Sequence, residues 1–460
     1  MRDAGRRFGR RRRHFPRPRS ALRAIGFAAS LIAAAGLALP AQAAPSVVRD
    51  AEIEGDIRAL SAPVWRIAGL EGADVGIYLV QDNQLNSFVA SGQAIFFNTG
   101  LILRAENANQ LLGVIAHETG HITGGHIIRS REAARNASIE MMIAMAAGLA
   151  AAVAGKSGAP LLGAAGVGER AWLQFSVAQE STADHAALNM LDRSCQSARG
   201  LLRFFEILQS NEMLAGDRGD AWGRTHPLTA ERIQYLRDHV QRARCSSAPE
   251  PPDAAGRLRR IQVKLRAFLD PPANTLAAFP QSDNSALARY ARAIAYYRTP
   301  DLARALPAID GLIRDFPDNP YYRELKGQML FENGRVSEAI RPYEDAVRLA
   351  PGAALLRISL SQVYIESADP TLNKRAIAYL NDASRDEGRD GQVWRLLATA
   401  YGRDNQLGMV ALSLAEEALA TQNKKTATQQ AMRAQQLLPR NTPSYLRAED
   451  IQRAADKLEN

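Results

Sequence analysis

A short, largely apolar segment, Val114–Ile122, contains two histidines four residues apart and a glutamate directly after the first. Residues four apart on an α-helix lie about 40° apart around its axis, so His117 and His121 project from one face. Two imidazoles in this arrangement can bind one tetrahedral zinc ion, and Glu118 beside them can take a proton from a water molecule. The segment therefore predicts a helix that holds one Zn²⁺ per chain, with Glu118 as the general base.

A catalytic zinc site needs a third protein ligand, and without one the motif could be an accident of an ordinary helix. Glu180 and Asp184 also lie four residues apart on a predicted helix, so both face one side. We expect Glu180 to bind the metal and Asp184 to accept a hydrogen bond from a ligand imidazole. His126 is nearer in sequence, but it would lie about 180° from His117 on a continuous helix, so we exclude it.

A third group of polar residues follows at His226, Pro227 and Arg232. Proline is common at the start of a helix, so we expect His226 in the preceding loop and Arg232 one turn into the helix. His226 could hydrogen-bond the tetrahedral intermediate or occupy the open position of the zinc in a resting enzyme. Arg232 could neutralise the developing oxyanion or orient a carboxylate. The alternative is structural, with His226 capping a helix and Arg232 paired with Glu231 or Asp238.

Three β-rich runs precede the histidine motif, at 75–80, 87–90 and 94–97, after an amphipathic helix at 50–70. They predict a small antiparallel sheet beside the helix that carries the histidines. The edge of such a sheet can pair with an extended substrate by main-chain hydrogen bonds. The alternative is that these strands only build the core.

The net charge of +9 is concentrated at the N-terminus, where residues 1–43 contain ten arginines and one acidic residue. The remainder is close to neutral, which gives no electrostatic support for binding DNA or RNA. Ala24–Leu39 forms an apolar core of 16 residues, and Ala41-Gln42-Ala43 supplies a small-x-small cleavage site. We therefore expect a cleavable export signal and a periplasmic protein, the alternative being an uncleaved anchor.

The two cysteines, Cys195 and Cys245, suit an oxidising compartment. The sequence leaves open whether they form a disulfide or are two free buried thiols, because their spacing does not establish that a bond between them is geometrically possible. A second apolar segment, Ile139–Ala154, is short for a membrane span, and small residues continue to 168. We expect a helical hairpin packed against the catalytic helix, with contact to a membrane surface or an apolar client as the alternative.

The C-terminal half follows a Pro/Ser-rich linker at 245–256 and has a helical pattern with a period of 34 residues. Small residues and proline recur at this spacing: Ala293 and Gly327, Ala305 and Ala339, Pro317 and Pro351. This period is typical of tetratricopeptide repeats, which stack into a solenoid that binds peptide or protein. A third unit near 354–390 is irregular, with about three extra residues, and a fourth restarts at Trp394.

Together, the three groups of polar residues resemble those of metallopeptidase family 48. The matching segments are His117-Glu118-x-x-His121, Glu180-x-x-x-Asp184 and His226-Pro227-x-x-x-x-Arg232, preceded by Asn86-x-Phe88-x-Ala90. The resemblance implies zinc ligation by His117, His121 and Glu180, with Glu118 as the base. An exported peptidase of this family followed by tetratricopeptide repeats is similar to the periplasmic β-barrel assembly-enhancing proteases. That similarity implies partners in the outer-membrane assembly machinery and misassembled outer-membrane proteins as clients.

We therefore predict an α+β zincin-type metallopeptidase domain, mostly helical with a small antiparallel sheet, followed by an all-α tetratricopeptide solenoid. The expected boundaries are a signal at 1–43, the peptidase domain at 44–247, a linker and connecting helix at 248–284, and repeats at 285–447. The predicted function is a zinc endopeptidase that degrades misassembled outer-membrane proteins and assists their assembly. The alternative is a periplasmic chaperone or scaffold whose peptidase site is silent or self-inhibited.

Overall fold

The computed structural model describes residues 46–90, 93–125, 167–215 and 221–458. The expected signal, His126 and the apolar segment 139–154 lie outside these residues, so the expectations about them remain predictions. Within the described ranges, no helix is long and apolar enough to cross a membrane.

The N-terminal part of the described chain is an α+β domain. Its strands and helices, in chain order, are β1 Val47–Val48, α1 Ala51–Ala68, β2 Gly76–Val80, β3 Ser87–Ala90, β4 Ala94–Asn98, α2 Thr99–Arg104, α3 Ala108–Thr123, α4 Val167–Arg193, α5 Arg199–Ala215, α6 Ala221–Thr225, α7 Ala230–Arg242, α8 Ala254–Leu269 and α9 Pro272–Ala278. The predicted class, an α+β domain followed by helical repeats, is confirmed.

The sheet is mixed, so the prediction of a purely antiparallel sheet is wrong. Its strand order is β1-β2-β4-β3, with β2 parallel to β4 and the other two pairs antiparallel. All five residues of β4 are buried, and a strand that is buried on both faces takes a central position in a sheet. The β3 strand, which connects β2 to β4, is thereby placed at the sheet edge.

Helix α3, which carries the two histidines, lies at the centre of the domain. The Asn107 side chain caps its N-terminus by accepting a hydrogen bond from the Gln110 N–H. A Cβ on Gly120 would lie 2.6 Å from the Ala183 carbonyl oxygen of α4, so only glycine permits this close approach. The Thr119 hydroxyl accepts from Trp65 Nε1 at 3.1 Å and donates to the main chain of its own helix at 2.7 Å.

Cys195 and Cys245 form a disulfide, with their Cα atoms 5.1 Å apart. The bond joins the turn after α4 to the segment after α7. Both helices contribute side chains to the candidate metal centre described below, so the disulfide connects two elements that must keep their relative positions.

The C-terminal half consists of antiparallel helix pairs. Its helices are α10 Ala286–Arg298, α11 Leu302–Asp315, α12 Pro320–Glu332, α13 Val336–Leu349, α14 Ala354–Glu366, α15 Pro370–Asp386, α16 Gly391–Arg403, α17 Leu407–Ala420, α18 Lys424–Leu437 and α19 Pro443–Asp456. The α10, α12 and α14 helices begin 34 residues apart, whereas α16 begins 37 residues after α14. The irregular third unit is thus confirmed, because α15 is three residues longer than α13.

Gly327 shows why small residues recur in these helices, since a Cβ there would lie 2.5 Å from the Tyr343 ring of the paired helix. The predicted end of the repeats at residue 447 falls inside α19, which continues to Asp456. Its continuation is specified by packing, because Ile451 and Ala455 are fully buried against the preceding helices.

Helix α8 connects the two halves and belongs to both cores. Leu258 and Leu265 pack in the core of the N-terminal domain, while Val263 and Ala267 pack with the first repeat helices. On the same helix, the buried Lys264 ammonium lies 2.8 Å from Asp50 and 3.1 Å from Glu52. Because Tyr290 of α10 also donates to Glu52 at 2.8 Å, one buried polar network joins α1, α8 and the repeats.

Candidate metal centre

Helices α3 and α4 and the loop before α7 bring four potential ligands together. His117, His121, Glu180 and His226 are all buried, and one ligand atom from each lies within 4.8 Å of the other three. In the described part of the chain this is the single such group. Three imidazoles and a carboxylate are ligand types that bind zinc.

The separations of these atoms fit a tetrahedral site. His117 Nε2 and His121 Nε2 are 3.2 Å apart, and the Glu180 oxygens lie 3.3 and 3.2 Å from them. His226 approaches through Nδ1, which is 3.5 Å from His117 Nε2 and 3.0 Å from Glu180 Oε1. A tetrahedron with metal–ligand bonds of about 2.0–2.1 Å has edges of roughly 3.3–3.4 Å. The residues present therefore fit a zinc ion.

Asp184 and Arg232 hold the ligands in place. His117 Nδ1 lies 2.9 Å from Asp184 Oδ1, which leaves Nε2 for the metal. Arg232 contacts both oxygens of Asp184, at 2.7 and 3.0 Å, and reaches Glu180 Oε2 at 3.1 Å. These contacts agree with one of the two roles expected for Arg232, that of orienting a carboxylate. The alternative pairing with Glu231 or Asp238 is wrong.

Helix α7 begins at Ala230, three residues later than the start expected at Pro227. Thr229 is its N-cap, and the hydroxyl of Thr229 accepts a hydrogen bond from the Arg232 N–H. Pro227 therefore precedes the helix, because the threonine hydroxyl supplies the cap that proline lacks. As expected, His226 lies in the loop before α7. Its ring stacks on that of the fully buried Trp222, with centroids 4.4 Å apart.

Glu118 is fully buried beside the ligand group. The Ser87 hydroxyl donates to Glu118 Oε1 at 2.6 Å, and His226 Nε2 is 3.7 Å from the same oxygen. The other oxygen, Oε2, has no hydrogen-bond partner among the described residues. Sequence reasoning missed Ser87. Strand alternation was the available signal, because it places Ser87 on the opposite face from Phe88.

The charges of the centre shift several pKa values in the metal-free protein. Burial alone would lower the pKa of His117, but its hydrogen bonds with Asp184 and Glu180 raise that pKa to about 9. Burial would raise the pKa of Asp184, but the hydrogen bond from His117 and the charge of Arg232 hold it below its ordinary value. The pKa of Glu180 is well below its usual range, because His226 and His121 outweigh burial.

Comparisons with known proteins match two segments of the chain. Residues 48–240 match peptidase family M48, and residues 276–354 match a tetratricopeptide repeat. The segment 48–240 is a family M48 peptidase domain. The chain is accordingly a metalloprotease that carries tetratricopeptide repeats.

The chain is similar to several named proteases. It is 22% identical to the β-barrel assembly-enhancing protease of Yersinia pestis, over 75% of this chain and 72% of that protein. It is 24% identical to the protease of the same name in Escherichia coli strain K12, over 72% and 69%. The metalloprotease LoiP of that strain is 30% identical over 36% of this chain and 61% of the relative.

The zinc affinity of the M48 domain should rise with pH. The raised pKa of His117, about 9, means that its ring is protonated at neutral pH without metal, and zinc must displace that proton. We expect the zinc affinity of the metal-free protein to increase roughly tenfold per pH unit from 7 towards 9, then to level off. Competition with a chelator of known affinity measures this slope. An affinity that does not change between pH 7 and 9 would contradict the assignment of His117.

Proposed function

We propose that this M48 metalloprotease is an exported, zinc-dependent endopeptidase of the periplasm. In the proposal, it degrades misassembled outer-membrane proteins and assists their assembly, and the repeats recruit unfolded clients and the assembly machinery. Three features support this: the residues 1–43 with the features of an export signal, the tetratricopeptide match, and relatives named β-barrel assembly-enhancing protease. The apolar segment 139–154 is proposed as a peripheral contact with a membrane surface.

In this proposal, His117, His121 and Glu180 hold the zinc, and Asp184 and Arg232 orient them. Zinc, when bound, would polarise the scissile carbonyl and acidify a water molecule. Glu118 Oε2, which has no partner among the described residues, accepts the proton of the attacking water and passes it to the leaving amine. Burial of Glu118 keeps bulk water away from this transfer.

The substrate would lie along β3, the edge strand on the side of the metal centre. The Asn98 N–H donates to the Asn86 carbonyl across the β3–β4 pair. Because outward and inward main-chain groups alternate along an antiparallel strand, the N–H and carbonyl groups of Ser87 and Val89 face away from β4. These outward groups suit an extended peptide that adds a strand to the sheet.

The observation that carries the proposal is the position of His226, which contacts both the ligand group and this strand edge. Its Nδ1 atom lies among the zinc ligands, and its Nε2 atom is 3.1 Å from the Ser87 carbonyl. A histidine in this position occupies the place of the water and that of the substrate main chain. We infer that the domain is a self-inhibited peptidase, in which the loop carrying His226 must move before cleavage.

Replacing His226 with alanine tests this function against that of a scaffold. We expect at least about a tenfold increase in cleavage of a denatured protein, because the barrier to displacing His226 disappears. The rate of peptide-bond cleavage is measured at saturating zinc. His239→Ala, which removes a histidine paired with Asp192 on the surface of α7, serves as the control. If the parent protein, His226→Ala and His239→Ala all fail to cleave, the scaffold function is favoured. If His226→Ala cleaves at the same rate as the parent protein, self-inhibition is excluded.

A further inference from the structure

Ser87 touches the catalytic base, the inhibiting histidine and the strand edge at once. Its side chain is fully buried, and its hydroxyl donates to Glu118 Oε1 at 2.6 Å. Its main-chain carbonyl lies 3.1 Å from His226 Nε2. In the motif Asn86-x-Phe88-x-Ala90 this serine occupies an unspecified position, and the functions assigned above leave its hydroxyl unexplained.

The hydroxyl decides which oxygen of Glu118 can act. A buried carboxylate needs hydrogen-bond donors, and a bond from a hydroxyl to a charged oxygen is among the stronger ones. Since Oε1 accepts from Ser87, Oε2 is the oxygen left to receive a proton, and it is the one without a partner in the described chain. Without the hydroxyl, the carboxylate could rotate and present either oxygen in several orientations.

The carbonyl of the same residue belongs to the strand edge. Within the described sheet β3 pairs with β4 alone, so the outward Ser87 carbonyl is where the N–H of an added substrate strand would bond. His226 now contacts that carbonyl, so a substrate strand and His226 compete for it. One residue therefore links the arrival of substrate to the release of His226 and to the orientation of Glu118.

We propose that Ser87 is a positioning residue whose hydroxyl aligns Glu118 for proton transfer and whose carbonyl is the group for which His226 and an extended substrate compete. This inference rests on the proposed peptidase function. It adds to that function a residue outside the ligand set and a route by which substrate itself releases the inhibiting loop.

The alignment is tested by kinetics of full-length protein that carries His226→Ala. Adding Ser87→Ala should lower kcat about 10- to 100-fold, with KM changed by less than about twofold, because the lost bond acts on Glu118 and not on the substrate. Ser87→Thr retains a hydroxyl and should restore kcat to within about threefold of the serine protein. Ser61→Ala is the matched control, because Ser61 is equally buried and its hydroxyl donates to the Ile57 carbonyl of its own helix.

Two further measurements separate alignment from a structural role. The zinc content and the unfolding midpoint of the Ser87→Ala protein should match those of the Ser61→Ala protein. A kcat unchanged by Ser87→Ala, or a folded Ser87→Thr protein no more active than the alanine variant, would overturn the assignment. Failure of every variant to cleave would overturn the proposed function as well, whereas cleavage that is insensitive to Ser87 overturns this inference alone.

The competition is tested without turnover, in Glu118→Gln protein labelled with 5-fluorotryptophan. Trp222 stacks on His226, so its ¹⁹F resonance, assigned with Trp222→Phe, should shift when an extended peptide binds and His226 leaves. The resonance of Trp394, in α16 of the repeats, is the internal reference. A peptide that binds by calorimetry and leaves the Trp222 resonance in place would overturn the competition.

Discussion

Replacement of Glu118 by glutamine should lower the rate of peptide-bond cleavage by about 10²- to 10⁴-fold, the usual contribution of a general base. Glutamine keeps the shape of the side chain, and its amide oxygen can still accept from the Ser87 hydroxyl, but it cannot take a proton at neutral pH. Zinc content should stay at one ion per chain, since Glu118 is not in the ligand group. Metal content and proteolysis are measured together on protein that also carries His226→Ala.

Glu106→Gln is the matched control for this change. Glu106 is a half-exposed glutamate on the surface that pairs with Arg203, so its replacement should leave both zinc content and cleavage unaltered. A Glu118→Gln protein that cleaves an unfolded substrate at the unsubstituted rate would show that Glu118 is not the base.

The second large effect is expected at Glu180, whose replacement by alanine should lower zinc affinity by well over 100-fold. The change removes the carboxylate from a group that otherwise contains three imidazoles, and it takes from Arg232 one of its two carboxylate partners. Asp184→Asn is the graded comparison, because Asp184 is outside the ligand group and acts on it through His117 and Arg232. Residues that hydrogen-bond a metal ligand without binding the metal typically contribute 10- to 100-fold in metal affinity.

Chelator competition at one pH measures both variants. Zinc affinity should fall in the order of the parent protein, Asp184→Asn, then Glu180→Ala. If Glu180→Ala binds zinc as tightly as Asp184→Asn, the carboxylate at 180 is not a ligand, and His226 would be the third one.

The sequence predicted those parts of the site that depend on helical periodicity. His117 and His121, and likewise Glu180 and Asp184, are pairs whose relative directions follow from 3.6 residues per turn, so each pair could be oriented before the helices were placed. The meeting of the two pairs could not be derived in this way. It depends on the contact of α3 with α4 at Gly120, which neither helix encodes alone.

The errors concern contacts between distant segments. The three predicted strands were located correctly, but β1 was not predicted. The parallel pairing of β2 with β4 depends on which strand is buried between two others. Ser87 was missed because one hydroxyl on a strand has no recurrent spacing, and its partner Glu118 is 31 residues away. The partners of Arg232 were left open for the same reason, since Asp184 is 48 residues distant.

The motif of α3 is written His-Glu-x-x-His, as if the two residues before its second histidine were arbitrary spacers. Here Thr119 bonds the Trp65 indole, and Gly120 leaves room for the α4 backbone. The spacers thus determine how near the helix with Glu180 can come, and hence whether a third ligand reaches the histidines at all. Grafting His-Glu-x-x-His onto another helix would transfer two ligands and a base, but without a glycine facing a second helix it would not transfer an enzyme.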